Sequence, residues 1–329
     1  MTADGTGIWL QACLAPLARF LERNDVTDLH INRPNEVWIE RLGGITERFD
    51  VDDLSEAVLL RLARQIAAVT SQGINRKNPL LAARLPSGER VQVALPPATR
   101  VHVAISIRKH VVSTPTLESY EVARSTCDDG PGTQSVTAGP ASLLREAVHS
   151  RRNILVAGGT STGKTTFLNA LLQEVPPSER LILIEDTPEL QVPHKNVVGL
   201  VAVRGSLGEA DVTAEDLLIA SLRMRPDRII LGEVRGKEAM TFLRAINTGH
   251  PGSLTTIHAD SPDGAIDQLV MLALQGGSRM RWEDIDQYVR RTIGVIVQLD
   301  RAGGQRVIRD VVQPRPAGRS ELAATTRYG

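Results

Sequence analysis

The sequence predicts an α/β protein in which a smaller α+β domain precedes a larger domain with a mainly parallel sheet. Three observations support this. The glycine-rich stretch "GGTSTGKTT" at 158–166 directly follows the apolar run "NILVA". From about residue 141 onward, apolar strands alternate with helices, which is typical of a parallel sheet covered on both faces. Before residue 115, strands and helices mix without that alternation. We therefore expect domains at 1–115 and 141–329, joined by a linker at 116–140.

Composition narrows the classes of function. The 329 residues are 42% hydrophobic and 23% charged, as in a soluble globular protein. Lys+Arg and Asp+Glu balance at 38 each, and aromatic residues make up only 3%. A chain without basic excess or stacking platforms is not expected to bind nucleic acid directly. Its two cysteines make neither a disulfide framework nor a four-ligand zinc site, which favours a reducing compartment.

The N-terminal segment predicts an amphipathic helix and not a signal peptide. It lacks a basic stretch followed by a clean apolar one, and no apolar run approaches the roughly 20 residues of a membrane span. Apolar residues recur near helical spacing from Ile8 to Leu21, and Pro16 is expected to kink or split the helix. We expect this helix to pack on its own domain. The alternative, a helix on a membrane surface, has only Arg19 and Arg23 to form a basic face.

Each domain then has a predicted series of elements. In the first domain, the expected strands lie within 26–32, 36–40, 80–86, 89–96 and 101–109, and a long helix lies within 54–75. In the second, we expect helices at 141–150, 164–174 and 214–224, and strands at 153–158, 180–186, 228–233 and 253–259. Thr213 and Asp216 have the spacing of a capping box. The Gly- and Pro-rich stretch 125–140 is typical of a linker or long loop, and the tail 314–329 of a frayed terminus.

The glycine-rich stretch matches G-x-x-x-x-G-K-[ST], the phosphate-binding loop of nucleotide-binding enzymes. Its glycines let backbone N–H groups point at phosphate oxygens, and the following helix adds its positive N-terminal end. Lys164 is expected to reach the β- and γ-phosphates, and the Thr165 hydroxyl to bind Mg²⁺. The predicted ATP-binding residues here are Gly158, Gly159, Thr160, Ser161, Thr162, Gly163, Lys164, Thr165 and Thr166.

Acidic residues end two apolar strands, at the sheet edge where open α/β sheets bind ligands. After "LILI", Glu185 or Asp186 is expected to hold Mg²⁺, directly or through water, or to orient the attacking water. After "RIILG", Glu233 is predicted to be the water-activating carboxylate, because Glu reaches one methylene farther than the Asp common at this position. The alternative for both positions is a carboxylate that caps a turn.

Histidines and arginines supply further candidates. His258 ends a strand, where it is expected to hydrogen-bond the γ-phosphate; a metal site shared with His250 is disfavoured because no third ligand lies nearby. For either histidine alone, a surface position is the alternative. The arginines around the Glu233 strand are Arg223, Arg225, Arg228 and Arg235. Each is either solvated or, at a subunit edge, an arginine finger toward a neighbouring nucleotide. Arg90 and Arg108 lie on first-domain strands.

Four stretches occur in a fixed order: "GGTSTGKTT", "ILIEDTPEL", "RMRPDRIILGEVRG" and "TGHPGSLTTIHA". Together they resemble the secretion ATPase superfamily, and most of all the VirB-type traffic ATPases of type IV secretion systems, the eleventh VirB component, with conjugative TrbB-type ATPases close by. "DVTDLHINRPNEVWIE" and "SGERVQVALPP" in the first domain resemble this branch too. The loop differs from the common family form "GGTGSGKTT" at Ser161 and Thr162, which are free positions of the pattern.

The resemblance implies a RecA-like second domain, a homohexameric ring, and ATP with Mg²⁺ between the two domains of a subunit. It implies a role at the cytoplasmic face of the inner membrane, with peripheral membrane contact, inner-membrane channel proteins and a coupling ATPase as partners. The catalytic residues that it implies are Lys164, Glu185, Arg223, Glu233 and His258. It also implies that Arg90, Arg108 and His250 contribute to nucleotide binding.

Three other functions remain open at this stage. A type II secretion or type IV pilus ATPase belongs to the same superfamily, although type II enzymes carry a four-cysteine module that two cysteines cannot build. A DNA-translocating RecA-like motor is disfavoured by neutral charge and few aromatic residues. A scaffold that binds ATP without hydrolysing it is disfavoured by the two acidic strand ends.

Overall fold

The computed structural model describes residues 4–42, 44–109, 115–122, 139–203, 211–302, 305–314 and 326–327. The chain divides into two units: Met1–Val112 with Val203–Val212, and Ser113–Ala202 with Thr213–Gly329. Of the expected linker, residues 123–138 lie outside the described residues. Its start belongs to the second unit, where Leu117 and Tyr120 are buried and Tyr120 packs edge-on against Phe167.

In the part of the first unit that the structure describes, the core element is an antiparallel sheet of six strands. In chain order these are β1 (Val26–Ile31), β2 (Glu36–Arg41), β3 (Ile45–Asp50), β4 (Leu80–Arg84), β5 (Arg90–Ala94) and β6 (Ala104–Arg108). They lie in the order β3-β2-β1-β6-β5-β4. The strands predicted from sequence are confirmed. Strand β3 was missed because "ITERFD" has only two apolar residues, the exposed Ile45 and the half-buried Phe49, which packs against Phe20. Helix α3 (Glu56–Val69) buries its apolar stripe in the core of this unit.

The N-terminal helix is interrupted, as Pro16 predicts. Helix α1 (Asp4–Leu14) gives way to a single 3₁₀ turn, Ala15–Leu17, and then to the short helix α2 (Ala18–Leu21). Leu10, Leu17 and Phe20 are buried in the first unit's core, so the prediction that the segment packs on its own domain is confirmed. None of the helices in the described ranges is long and apolar enough to cross a bilayer.

Among its described residues, the second unit is built on a nine-stranded sheet. Its strands are β7 (Glu121–Val122), β8 (Ile154–Ala157), β9 (Leu181–Glu185), β10 (Val197–Val201), β11 (Arg228–Leu231), β12 (Leu254–Ile257), β13 (Val295–Ala302), β14 (Gln305–Val312) and β15 (Thr326–Arg327). The order is β10-β9-β11-β12-β8-β13-β14-β15, with β7 beside β14. Strands β8 to β13 pair in parallel, and the hairpin β13–β14 adds an antiparallel edge. The predicted mainly parallel sheet is confirmed.

Helices cover both faces of this sheet. They are α4 (Pro140–His149), α5 (Lys164–Gln173), α6 (Ala214–Ser221), α7 (Glu238–Asn247), α8 (Pro262–Gln275) and α9 (Trp282–Thr292). Alternate residues of the strands face opposite sides: Leu155 packs into the core with α6 to α9, whereas Ile154 and Val156 pack with α4 and α5. Thr213 and Asp216 cap α6 reciprocally, which confirms the predicted capping box. In the tail expected to fray, Thr326–Arg327 pairs with β14, and residues 315–325 lie outside the described part.

Candidate active site

The phosphate loop follows the buried strand β8 at the carboxyl edge of the sheet. Two of its glycines are required by the local geometry. Gly163 has φ +88°, which a residue with a Cβ rarely adopts, and a Cβ on Gly158 would lie 2.5 Å from the Thr162 hydroxyl. Helix α5 begins at Lys164, so the unsatisfied N–H groups of its first turn border the loop. This is the arrangement that holds phosphate oxygens.

Lys164 lies inside this loop. Its Nζ donates to the carbonyls of Gly158 (3.0 Å) and Gly159 (3.1 Å) and lies 3.9 Å from Oε1 of Glu233. Burial lowers the pKa of the Lys164 ammonium, and the nearby Glu233 carboxylate opposes that shift. The structure therefore unites the two residues to which the sequence assigned phosphate binding and water activation.

Glu233 follows β11 and is held between two basic neighbours. Its Oε1 is buried and lies 3.1 Å from Nε2 of His258 without forming a hydrogen bond. Its other oxygen pairs with Arg235, whose Nη1 lies 3.3 Å from Asp186 Oδ2. A buried carboxylate oxygen without a donor is the acceptor that an attacking water needs, so the site fits hydrolysis of a phosphate bound in the loop.

His258 and Lys164 adjoin each other on the side of the loop toward β12. The ammonium lies 3.4 Å from Nδ1 and 3.3 Å from Nε2 of the His258 ring. Burial lowers the pKa of His258, and the positive charge of Lys164 lowers it further. A neutral imidazole here has a nitrogen that can donate a hydrogen bond to a phosphate oxygen.

Glu185, at the end of β9, is buried and supports the backbone that follows it. Its Oε1 accepts hydrogen bonds from the N–H groups of Glu189 (2.6 Å) and Leu190 (2.8 Å). The side chain of Asn169, on α5, holds the same segment by donating to the Glu189 carbonyl (3.1 Å). Sequence reasoning missed Asn169, whose only signal was a polar residue among the apolar positions of α5.

The hydroxyl residues of the loop differ in their surroundings. Thr162 is buried and donates to the Gly159 carbonyl (2.9 Å), whereas Ser161 is exposed with φ +62°. Thr165 is half-buried in the first turn of α5. The described residues contain no group of three or more His, Cys, Asp or Glu side chains placed to hold a metal. The hydroxyl of Thr165 and the carboxylate of Glu185 are oxygen donors, the type of ligand that Mg²⁺ prefers, and proteins hold this ion through few side chains together with the phosphates of a substrate.

Two predicted site residues lie at the opposite edge of the sheet. His250 precedes β12, and His258 follows it, so the length of the strand separates them. Nδ1 of His250 lies 3.0 Å from the Pro226 carbonyl, ahead of β11. Arg223 is exposed in the same region, next to Met224, whose carbonyl accepts from Arg180 at the start of β9. Neither His250 nor Arg223 is brought to the phosphate loop of its own chain.

Arg228 corrects the expectation that the arginines near Glu233 are solvated or act as fingers. Its side chain is 0% exposed. The guanidinium donates to both carboxylate oxygens of Glu179, at 2.7 and 3.0 Å, and to the Gly252 carbonyl at 3.1 Å. Arg228 therefore ties together the amino ends of neighbouring strands and has a structural role.

Arg90 and Arg108 lie directly opposite each other on β5 and β6 of the first unit. Nε of Arg108 lies 3.1 Å from Oδ1 of Asp28, and half of its side chain is exposed. Their contact with nucleotide phosphates remains a prediction.

The fold and the loop together define a P-loop nucleotide-hydrolysing enzyme with a RecA-like sheet. Residues 11–313 match the family described as "Type II/IV secretion system protein". The chain is 35% identical to the type IV secretion system protein VirB11 of Bartonella quintana over 91% of both chains. It is 38% identical to VirB11 of Brucella suis, over 87% of this chain and 84% of that one. The chain belongs to this family, on its VirB11 branch of secretion ATPases.

A solved structure of the pilus retraction motor PilT with bound ADP has the same fold. Its TM-score is 0.64 at 21% identity, over 94% of this chain and 83% of that chain. At this identity the likeness supports the fold alone. The higher identity of the VirB11 proteins distinguishes the branch, which the four ordered sequence stretches had indicated.

Proposed function

We propose that the protein is a hexameric, Mg²⁺-dependent ATPase that powers type IV secretion at the cytoplasmic face of the inner membrane. One observation carries the enzymatic part: Lys164, Glu233 and His258 converge within 4 Å of one another at the phosphate loop. A cation that binds phosphate beside a carboxylate with a free buried oxygen is suited to turnover and not to binding alone. This favours an enzyme over a scaffold gated by nucleotide.

In the proposed mechanism, the loop N–H groups and Lys164 hold the phosphates and offset their charge. Glu233 orients and activates the attacking water, and His258 donates a hydrogen bond to the γ-phosphate. Thr165 would hold Mg²⁺, with Glu185 acting directly or through water, and the ion would neutralise charge on the phosphate oxygens. Glu185 accepts two backbone hydrogen bonds through Oε1, which supports binding of Mg²⁺ through water over direct ligation.

The arginines complete the proposal. Arg90 and Arg108 of the first unit would bind the phosphates of ATP. Arg223 lies at the far edge of the sheet from its own loop, which supports a role toward the nucleotide of a neighbouring subunit, as an arginine finger has. His250 has the same position, so a nucleotide role for it would also be in a neighbour's site.

The proposed partners follow from the VirB11 relatives, which are type IV secretion proteins. The proposed partners are inner-membrane channel proteins and a coupling ATPase, which this protein would reach by peripheral contact with the membrane. The proposed cargo is DNA, as in conjugation, or protein effectors. ATP hydrolysis would power the transfer of that cargo or the assembly of a pilus. Direct binding of nucleic acid is not part of the proposal, because the chain has no excess of basic residues.

Phosphate release and nucleotide binding test the proposal when both are measured on the same samples. Lys164→Ala should lose both, because it removes the cation of the loop. Glu233→Gln should bind ATP with Mg²⁺ and turn it over at least about 100-fold more slowly, the usual loss when a catalytic base is removed. Glu283→Gln, an exposed carboxylate on α9, is the matched control and should behave as wild type. Wild-type turnover by Glu233→Gln would remove that residue from the chemistry.

A further inference from the structure

The hairpin β13–β14 places a guanidinium on the phosphate loop that sequence reasoning had not considered. Arg306, at the start of β14, donates from Nη1 to the hydroxyl of Thr166 (3.1 Å). Its side chain is exposed, and no carboxylate among the described residues pairs with it. A guanidinium that contacts the loop but lacks a counter-ion is suited to bind an anion there.

The backbone of the loop makes room for this side chain. A Cβ on Gly163 would lie 2.6 Å from Cδ and 2.8 Å from Nε of Arg306. The Arg306 stem therefore lies against the residue that caps α5, where a side chain would otherwise stand. Its guanidinium is held beside the N-terminal turn of the helix, where the helix dipole already favours negative charge.

A second arginine reinforces the positive charge. Arg301 on β13 lies directly opposite Arg306 in the antiparallel register, which puts both side chains on one face of the hairpin. The side chain of Arg301 is exposed and has no hydrogen bond or ion pair within the described ranges. Like charges directly opposite each other are unfavourable in a sheet. An anion between the hairpin and α5 would relieve that repulsion.

The strand order indicates which phosphate of a nucleotide would lie beside Arg306. On one side of β8 lie β12 and β11, which carry His258 and Glu233, and on the other side lie β13 and β14. The γ-phosphate must lie on the Glu233 side, where hydrolysis takes place. The loop N–H groups hold the α- and β-phosphates, so the phosphate chain runs from Glu233 toward the hairpin.

We propose that Arg306 binds the α-phosphate of the nucleoside triphosphate, with Arg301 adding longer-range attraction. This inference rests on the proposed ATPase function and adds a residue to its site. The contact holds substrate and product alike, because the α-phosphate does not change during hydrolysis. Its loss should therefore weaken binding without slowing the chemical step.

The test compares Arg306→Ala with wild type in affinity for ATP, ADP and inorganic tripolyphosphate, each with Mg²⁺. A charge-assisted contact to phosphate predicts that all three affinities fall by a similar factor, about 10- to 100-fold. Arg306→Lys should recover part of the loss, since lysine keeps the positive charge but lacks the planar guanidinium that donates two parallel hydrogen bonds. Arg291→Ala, which removes an exposed arginine at the other edge of the sheet, is the matched control and should bind as wild type.

Steady-state kinetics give an independent reading. For Arg306→Ala we expect a raised KM with kcat at saturating ATP within about twofold of wild type. Arg301→Ala should weaken binding by only about two- to fivefold, because Arg301 attracts the phosphate without contacting it. Salt screens such an attraction, so the difference from wild type should shrink in about 1 M salt.

Two results would overturn the inference. Wild-type affinity in Arg306→Ala would show that the residue makes no contact, and a loss for ATP and ADP but not for tripolyphosphate would assign the contact to the nucleoside. Both leave the ATPase proposal intact, provided that wild type binds ATP through Lys164. If wild type binds no nucleotide, both proposals fall together. An unchanged unfolding midpoint shows that the variant is folded.

Discussion

Glu233 is held in place by charge from both sides. Arg235 pairs with one oxygen, while Lys164 and His258 lie near the other. The positive charges of Arg235 and Lys164 attract the carboxylate and hold the side chain at the phosphate loop. The position of Glu233 is therefore set by residues that follow three separate strands, β8, β11 and β12.

The protonation of His258 leads to a prediction about pH. Its pKa is lowered from 6.5, chiefly by burial and then by Lys164, with Arg235 acting in the same direction and Glu233 and Asp260 opposing. Below about pH 6.5 the unfolded chain binds a proton that the folded chain does not, so this residue makes stability fall as pH falls. We expect the free energy of unfolding to drop less between about pH 7.5 and pH 5 in His258→Asn than in wild type.

Urea unfolding at several pH values measures this difference. The six other histidines are common to both proteins, so only the difference between the two slopes reports on His258. Parallel slopes would mean that the folded protein does not depress the pKa of this side chain.

Sequence could identify the loop, Lys164, Glu233 and His258 because each follows an apolar strand that ends at one edge of a parallel sheet. It could not identify Arg306, because its contact with Thr166 depends on the pairing of β13 with β8 across 140 positions. It also misjudged Arg228, since nothing local distinguishes a buried arginine from an exposed one when its partner Glu179 is 49 positions away.

At the scale of elements, the pair Arg228–Glu179 joins the start of β11 to the segment ahead of β9. Removing one partner of a buried ion pair leaves an uncompensated charge, which costs about 3–5 kcal/mol. We expect Arg228→Ala to destabilise the second unit by about this amount. Arg225→Ala, three residues earlier and exposed, should change stability by less than about 0.5 kcal/mol.

Trp282 offers a reporter for that measurement. It lies on α9 of the second unit, and the other two tryptophans, Trp9 and Trp38, lie in the first. With both replaced by Phe, fluorescence in urea follows the second unit alone. Equal midpoints for Arg228→Ala and Arg225→Ala would contradict the structural role given to the buried pair.

Several elements with a clear apolar pattern were predicted, but α7 and α9 were not, although both bury residues at helical spacing. Helix α3 and strands β8, β9 and β11 have strong apolar patterns and were located from them. Strand β3 has only two apolar residues, Ile45 and Phe49, and the hairpin β13–β14 follows the last stretch that carried a motif. The pairing of β13 with β8 depends on long-range packing, which the local sequence pattern does not predict.

At the scale of the whole molecule, the proposed ring has a direct test in mass. Light scattering with ATP and Mg²⁺ should give about six times the 35.7 kDa of the chain. The mass of Glu233→Gln should stay at the hexamer value for the longest time after ATP is added, because this variant keeps ATP bound. The mass of Lys164→Ala should not change on addition of nucleotide. A monomer that nevertheless releases phosphate in a Lys164-dependent manner would contradict the ring while leaving the ATPase standing.

The order of strands in the second unit has a consequence for adaptation. In the proposed site, residues for the reacting end of the nucleotide follow β11 and β12, and those for the other end lie on β13 and β14, on opposite sides of β8. Lys164 would serve both binding and turnover, whereas Arg306 and Arg301 would contribute to affinity alone. On these proposals, selection or protein engineering could change the ATP concentration that the protein requires through substitutions in the hairpin and leave kcat unchanged.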